Sequence, residues 1–63
     1  MRKSHFKEAT KDLKINDTIR IHLRGNYENY TVRGPLFKLT DDQIGISEGS
    51  YHSYRRVISI KKL

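Results

Sequence analysis

Between Thr18 and Arg24 every second residue is apolar: Ile19, Ile21 and Leu23 alternate with Thr18, Arg20, His22 and Arg24. A period of two is the signature of a strand with one buried face, because successive side chains of an extended chain point to opposite sides. Such a strand has to find hydrogen-bonding partners and a second layer to bury Ile19, Ile21 and Leu23, all within 63 residues.

The partners are legible downstream. Gly25-Asn26 turns the chain, and Tyr27 to Leu39 is rich in aromatic and β-branched residues, with Tyr30, Val32 and Leu36 in phase. Gly34-Pro35 interrupts that run. Proline cannot donate to a ladder, so the pair reads as a bulge or bend in one long, curved strand, after which Phe37 and Leu39 take the other parity. Asp41-Asp42 makes a turn, Gln43 to Ser47 points Ile44 and Ile46 inward, and Ser47-Glu48-Gly49-Ser50 is a loop. Tyr51 to Arg56 reads as a fourth strand and Val57 to Lys61 as a fifth, with Ile58 and Ile60 alternating.

Ahead of the strands, Ser4 to Lys14 reads as a helix. Ser4 is a candidate cap, and Phe6, Ala9 and Leu13 recur at offsets of three and four. A helix this short is marginal in water, so Phe6 and Leu13 must pack on the strands. Asn16-Asp17 ends it. The fold class expected is mainly β: an N-terminal helix (4–14) followed by a five-stranded, strongly bent small barrel (18–61), in a single domain over 1–63.

Domains of this length are marginal, burying only about 60% of the surface their unfolded chains expose, and many gain help from disulfides, metals or self-association. The chain has no Cys, which excludes a disulfide scaffold, a thiol nucleophile and a Cys-based zinc site. His5, His22 and His52 fall in different elements, a poor metal set. Self-association is the remaining supplement. No apolar run approaches the roughly 18 residues of a membrane span, and no signal peptide follows the basic start, so a cytoplasmic chain with no membrane partner is expected.

Catalysis is not expected either. Asp41 and Asp42 are adjacent, which points their carboxylates apart. The sequence holds no Gly-rich phosphate loop, no His pair at metal spacing, and no Ser beside an ordered base, and no cofactor is implied.

Charge supplies the functional hint. Thirteen Lys and Arg against seven Asp and Glu give +6, with both ends basic and residues 25–48 mildly acidic. Near the C-terminus Tyr51, His52, Tyr54, Arg55 and Arg56 interleave rings with cations. Phosphates want Lys or Arg, and unstacked bases want a flat ring or a guanidinium plane. The alternative is that Tyr51 and Tyr54 cover one end of the barrel while the arginines are solvated. A second cluster, Arg20, His22 and Arg24, points outward together if Ile19, Ile21 and Leu23 point inward. Its like charges stand about 7 Å apart along the strand, and they call for an anion over them or for ordinary solvation, with Glu28 across the hairpin. Lys7, Lys11 and Lys14 lie away from the apolar stripe of the helix. Tyr27 and Tyr30 flank Glu28-Asn29, one expected to pack and one to be exposed.

The order of elements resembles the Sm and Hfq family of RNA-binding proteins, in which an N-terminal helix precedes a five-stranded SH3-like barrel. Ile19-Arg20-Ile21-His22-Leu23 resembles the alternating first strand of the first Sm motif. Gly34 stands in the second strand where the family often carries Gly. Tyr54-Arg55-Arg56-Val57-Ile58-Ser59-Ile60 is similar to the Tyr-Lys-His-Ala-Ile-Ser stretch of bacterial Hfq, with Arg56 in place of the His. The Arg24–Asn29 loop is longer than the family's first hairpin.

The resemblance implies a ring-shaped homo-oligomer that binds single-stranded RNA. Tyr54 would position bases, Arg55 and Arg56 would contact phosphate or base edges, and Lys7, Lys11 and Lys14 would extend the phosphate track. Val57, Ile58 and Ile60 would join subunits. Two other readings share the pattern: a barrel regulator that docks on a protein partner, and a DNA-binding barrel.

Overall fold

In the computed structural model, which describes residues 1–47 and 50–63, the alternating segment is strand β1 (Thr18–Leu23), and its exposure alternates residue by residue as the sequence demands. It lies at the centre of an antiparallel sheet between β2 (Tyr30–Pro35) and the last strand, β6 (Val57–Lys62). A second antiparallel sheet contains β3 (Lys38–Leu39), β4 (Gln43–Ser47) and β5 (Ser50–Ser53), with β4 central. Among the described residues the molecule is thus mainly β, with two small antiparallel sheets and one short helix, α1 (Lys3–Thr10). Phe6, Ile19, Ile21, Leu23, Leu36, Ile44 and Val57 are fully buried, and Ile46 nearly so. Leu13, Val32, Leu39, Tyr54 and Ile60 pack partly buried around them.

Three elements depart from the sequence reading, each for a local reason. The helix is shorter than 4–14, and Ser4 lies inside it. The N-cap is Arg2, with no side-chain capping bond. At the other end the Thr10 hydroxyl donates to the Phe6 carbonyl at 2.8 Å, and Leu13 N–H returns to the Thr10 carbonyl at 3.1 Å. A chain of turns follows: Asn16 adopts a positive φ of 77°, and the Asp17 carboxylate accepts from Lys14 N–H at 2.8 Å.

The long strand expected over Tyr27 to Leu39 is two strands. Leu36 leaves the first sheet because its backbone bonds both ways to the pre-β1 turn: its N–H donates to Asp17 and its carbonyl accepts from Asn16, each at 2.8 Å. Beyond that anchor the chain enters the second sheet.

The strand expected through Arg56 stops at Ser53. Tyr54–Arg56 form a single 3-10 turn, with Ser53 Oγ accepting from Arg55 N–H and Tyr54 N–H donating to the Asp42 carbonyl. This turn redirects the chain from one sheet to the other.

Candidate nucleic-acid interface

Strand register decides which side chains meet. On the outer face of the first sheet Arg20 lies directly opposite Arg33 of β2 on one side and Lys61 of β6 on the other. Three cations therefore form one row across three strands, at about 4.8 Å per strand step. The neighbouring row, one pleat along, is Thr31, His22 and Ser59. All six residues are exposed. Like charges directly opposite one another destabilise a sheet, so such a row needs a compensating reason. The ion pairs among the described residues are Lys3–Asp42 at 3.0 Å, Lys11–Glu8 at 2.7 Å and Lys62–Asp17 at 3.4 Å; none neutralises Arg20, Arg33 or Lys61. Arg24 extends the face past His22, and its N–H donates to the Arg56 carbonyl at 2.8 Å, which brings two more exposed arginines to that end.

The Tyr-Arg segment does not form one surface. Tyr51 faces outward on the second sheet, opposite Gly45, and the edge of its ring fills the space where a side chain at Gly45 would stand. Lys38 Nζ lies 5.6 Å from the ring centroid. His52, one residue on, turns to the other face opposite Ile44. Its Nε2 is buried with no hydrogen-bond partner among the described residues, and burial holds its pKa below the ordinary imidazole value. Tyr54 is half-buried against Phe6, ring centroids 6.1 Å apart, so it fastens the helix to the 3-10 turn. Arg55 lies 5.8 Å over the Tyr54 ring and donates from Nε to its hydroxyl at 3.4 Å, an arrangement that raises the Arg55 pKa.

The remaining positions are equally dispersed. Lys7 and Lys11 are exposed on α1, with Lys11 paired to Glu8. Val57 is wholly inside the chain's own core, Ile60 is half-buried opposite Ile21 of β1, and Ile58, at a register shift in the β1–β6 ladder, is 38% exposed.

Arg20, Arg24 and Arg56 are thus the sequence-derived candidates that the fold gathers with other cations. Arg33 and Lys61 were missed, since nothing local marks them: their proximity to Arg20 exists only through strand pairing. Among the described residues no three His, Asp or Glu side chains gather at metal-binding distance, and no helix is long and apolar enough to cross a membrane. No protein-family model, curated protein or solved structure matches the chain.

Proposed function

We propose that this chain is a non-catalytic nucleic-acid-binding module, built as a small, strongly bent β-barrel of the Sm-like or SH3-like kind, that takes a sugar–phosphate backbone across the outer face of the β2–β1–β6 sheet. The observation that carries the reading is the Arg33–Arg20–Lys61 row. Three side chains that can only donate hydrogen bonds, aligned without a neutralising carboxylate, repel one another until an anion lies over them. The net charge of +6 has the sign that draws a polyanion. The barrel reading draws support from the return of β6 to β1 after the 3-10 turn, and from Leu36 carrying the chain between the sheets.

Self-association belongs to the same proposal. β5 and β6 are both sheet edges, and edge strands template pairing with a second copy. Because Leu63 N–H bonds the Thr18 carbonyl, alternation along the ladder leaves the backbone groups of Ile60 and Lys62 facing away from β1. A ring or dimer would join through these backbone edges and Ile58, while Val57 stays in the core.

Binding of a fluorescent single-stranded oligonucleotide, followed by anisotropy at several salt concentrations, tests the reading. Neutralising about three phosphates gives a slope of log K against log salt near −2. Arg20→Glu should lower affinity at least tenfold. A flat salt dependence, or an Arg20→Glu variant that binds as well as the parent, would contradict the proposal.

A further inference from the structure

Two lines of cations cross on the outer face of the first sheet, and His22 sits in the gap of one of them. Across the strands runs the Arg33–Arg20–Lys61 row. Along β1 the same exposed face continues from Arg20 through His22 to Arg24, at about 7 Å per step. Imidazole is the side chain whose charge changes between about pH 5 and 8. The line along β1 is therefore interrupted by a neutral group above that range and continuous below it. The groups that face His22 are cations and hydroxyls. Thr31 of β2 and Ser59 of β6 stand directly opposite it, with Arg33 and Lys61 diagonal on the same two strands. At the start of β6 the Met1 ammonium donates to the Val57 carbonyl at 2.9 Å, and Arg56 stands beside Arg24. The open basin on this face, about 550 Å³, is lined by Arg20, His22, Thr31, Ser59, Ile60 and Lys61, with no carboxylate among the described residues. Asp17 is engaged by Lys62 and the Lys14 N–H, and Glu28 lies in the loop beyond Arg24. No acid of the fold thus draws a proton onto His22, whereas an anion laid over the neighbouring arginines does.

We infer that His22 is a protonatable fourth anchor of this face, so that the module grips a polyanion more tightly as the pH falls through the imidazole range. The inference rests on the nucleic-acid reading above and adds its regulation. When charged, the His22 ring is a donor on both nitrogens and closes the gap between Arg20 and Arg24 with a charge-assisted hydrogen bond to a further phosphate. When neutral, it leaves that phosphate to solvent. Coupling between two bound species is reciprocal, so the proton tightens the hold on the polyanion and the polyanion tightens the hold on the proton. Each extra phosphate neutralised on a single strand steepens the slope of log K against log salt by about 0.7.

The test follows a short fluorescent oligothymidylate by anisotropy between about pH 7.5 and 5.5, a range in which its bases and phosphodiesters keep one charge state while imidazole changes. In about 50 mM salt the parent should bind about 5–10-fold tighter at the lower pH, and its salt slope should steepen from near −2 to near −3. Proton uptake on binding, read from the slope of log K against pH, should approach one. His22→Gln, with its fold checked by circular dichroism at both pH values, should take up no proton and keep a slope near −2 throughout. His22→Lys, a permanent cation, should bind at the higher pH as tightly as the parent does at the lower one. His5→Gln, on α1 and away from this face, should keep the full gain. Parent binding that ignores pH, or a gain that survives His22→Gln, overturns the role of His22. If pH-independent binding still falls with salt and with Arg20→Glu, the phosphate reading stands alone. If the parent binds at neither pH, both readings fall.

Discussion

Removing the central cation of the row should make the free protein more stable, the opposite of what most substitutions do. Arg20 faces Arg33 and Lys61 on its two sides, so Arg20→Gln abolishes two like-charge contacts while keeping a long polar side chain. Each directly opposed like-charge pair costs about 0.2–1 kcal/mol. These side chains are exposed and can splay into water, which places the combined gain near the lower end, about 0.5–1 kcal/mol. For a domain of this size that raises the melting temperature by about 2–8 °C. Differential scanning fluorimetry or calorimetry in 20 mM salt should show the rise. In 1 M salt, where the screening length is about 3 Å, the difference between parent and variant should vanish. The same variant should bind oligonucleotide more weakly, so stability and binding move in opposite directions. An Arg20→Gln protein that melts at or below the parental temperature in low salt would refute the claim that the row is electrostatically strained.

Gly34 tests the packing between sheets: a Cβ there would sit 2.6 Å from the buried Ile46 Cγ2, so Gly34→Ala should cost about 1–3 kcal/mol in urea unfolding. Tyr54→Ala should lower stability through the lost Phe6 contact, while Tyr54→Phe keeps both stability and oligonucleotide affinity; a binding loss in the Phe variant would give the hydroxyl a recognition role that packing does not explain. Burial depresses the His52 pKa, so the unfolded chain takes up the proton first: its contribution is full above pH 6.5 and falls as the pH drops below it, and His52→Gln should flatten that part of the stability profile. The Lys14 N–H holds Asp17 below the ordinary carboxylate value of 3.8, with Lys62 assisting. That stabilisation is present above pH 3.8 and is lost as the pH falls toward the folded value, so acid unfolding of Asp17→Asn should show a shallower loss there than the parent.

Local periodicity made the β1 strand, the inward Ile44 and Ile46 and the buried Phe6 legible, because burial on one face imposes its own spacing on the sequence. It also gave the outward direction of Arg20, His22 and Arg24. What periodicity could not give was set by particular backbone bonds. The Thr10 hydroxyl on the Phe6 carbonyl accompanies the end of the helix three residues before Leu13, and Leu13 still reaches the core from a turn. The bonds from Leu36 to the Asn16–Asp17 turn divide a run that reads as one strand. The 3-10 turn at Tyr54–Arg56 hides inside an aromatic, basic stretch compatible with extension, and it rotates Tyr54 onto Phe6 while leaving Arg56 beside Arg24. The candidate site is the least local feature of all: Arg33 and Lys61 lie 13 and 41 positions from Arg20 in the chain, and only the pairing of β2 and β6 with β1 aligns them.

Amide chemical-shift mapping by NMR during titration with a single-stranded oligonucleotide locates the bound surface without any substitution. The largest shifts should fall at Arg20, His22, Thr31, Arg33, Ser59 and Lys61, on three strands of one sheet. Shifts confined to the Tyr51–Arg56 segment and α1, with β1 silent, would contradict that placement.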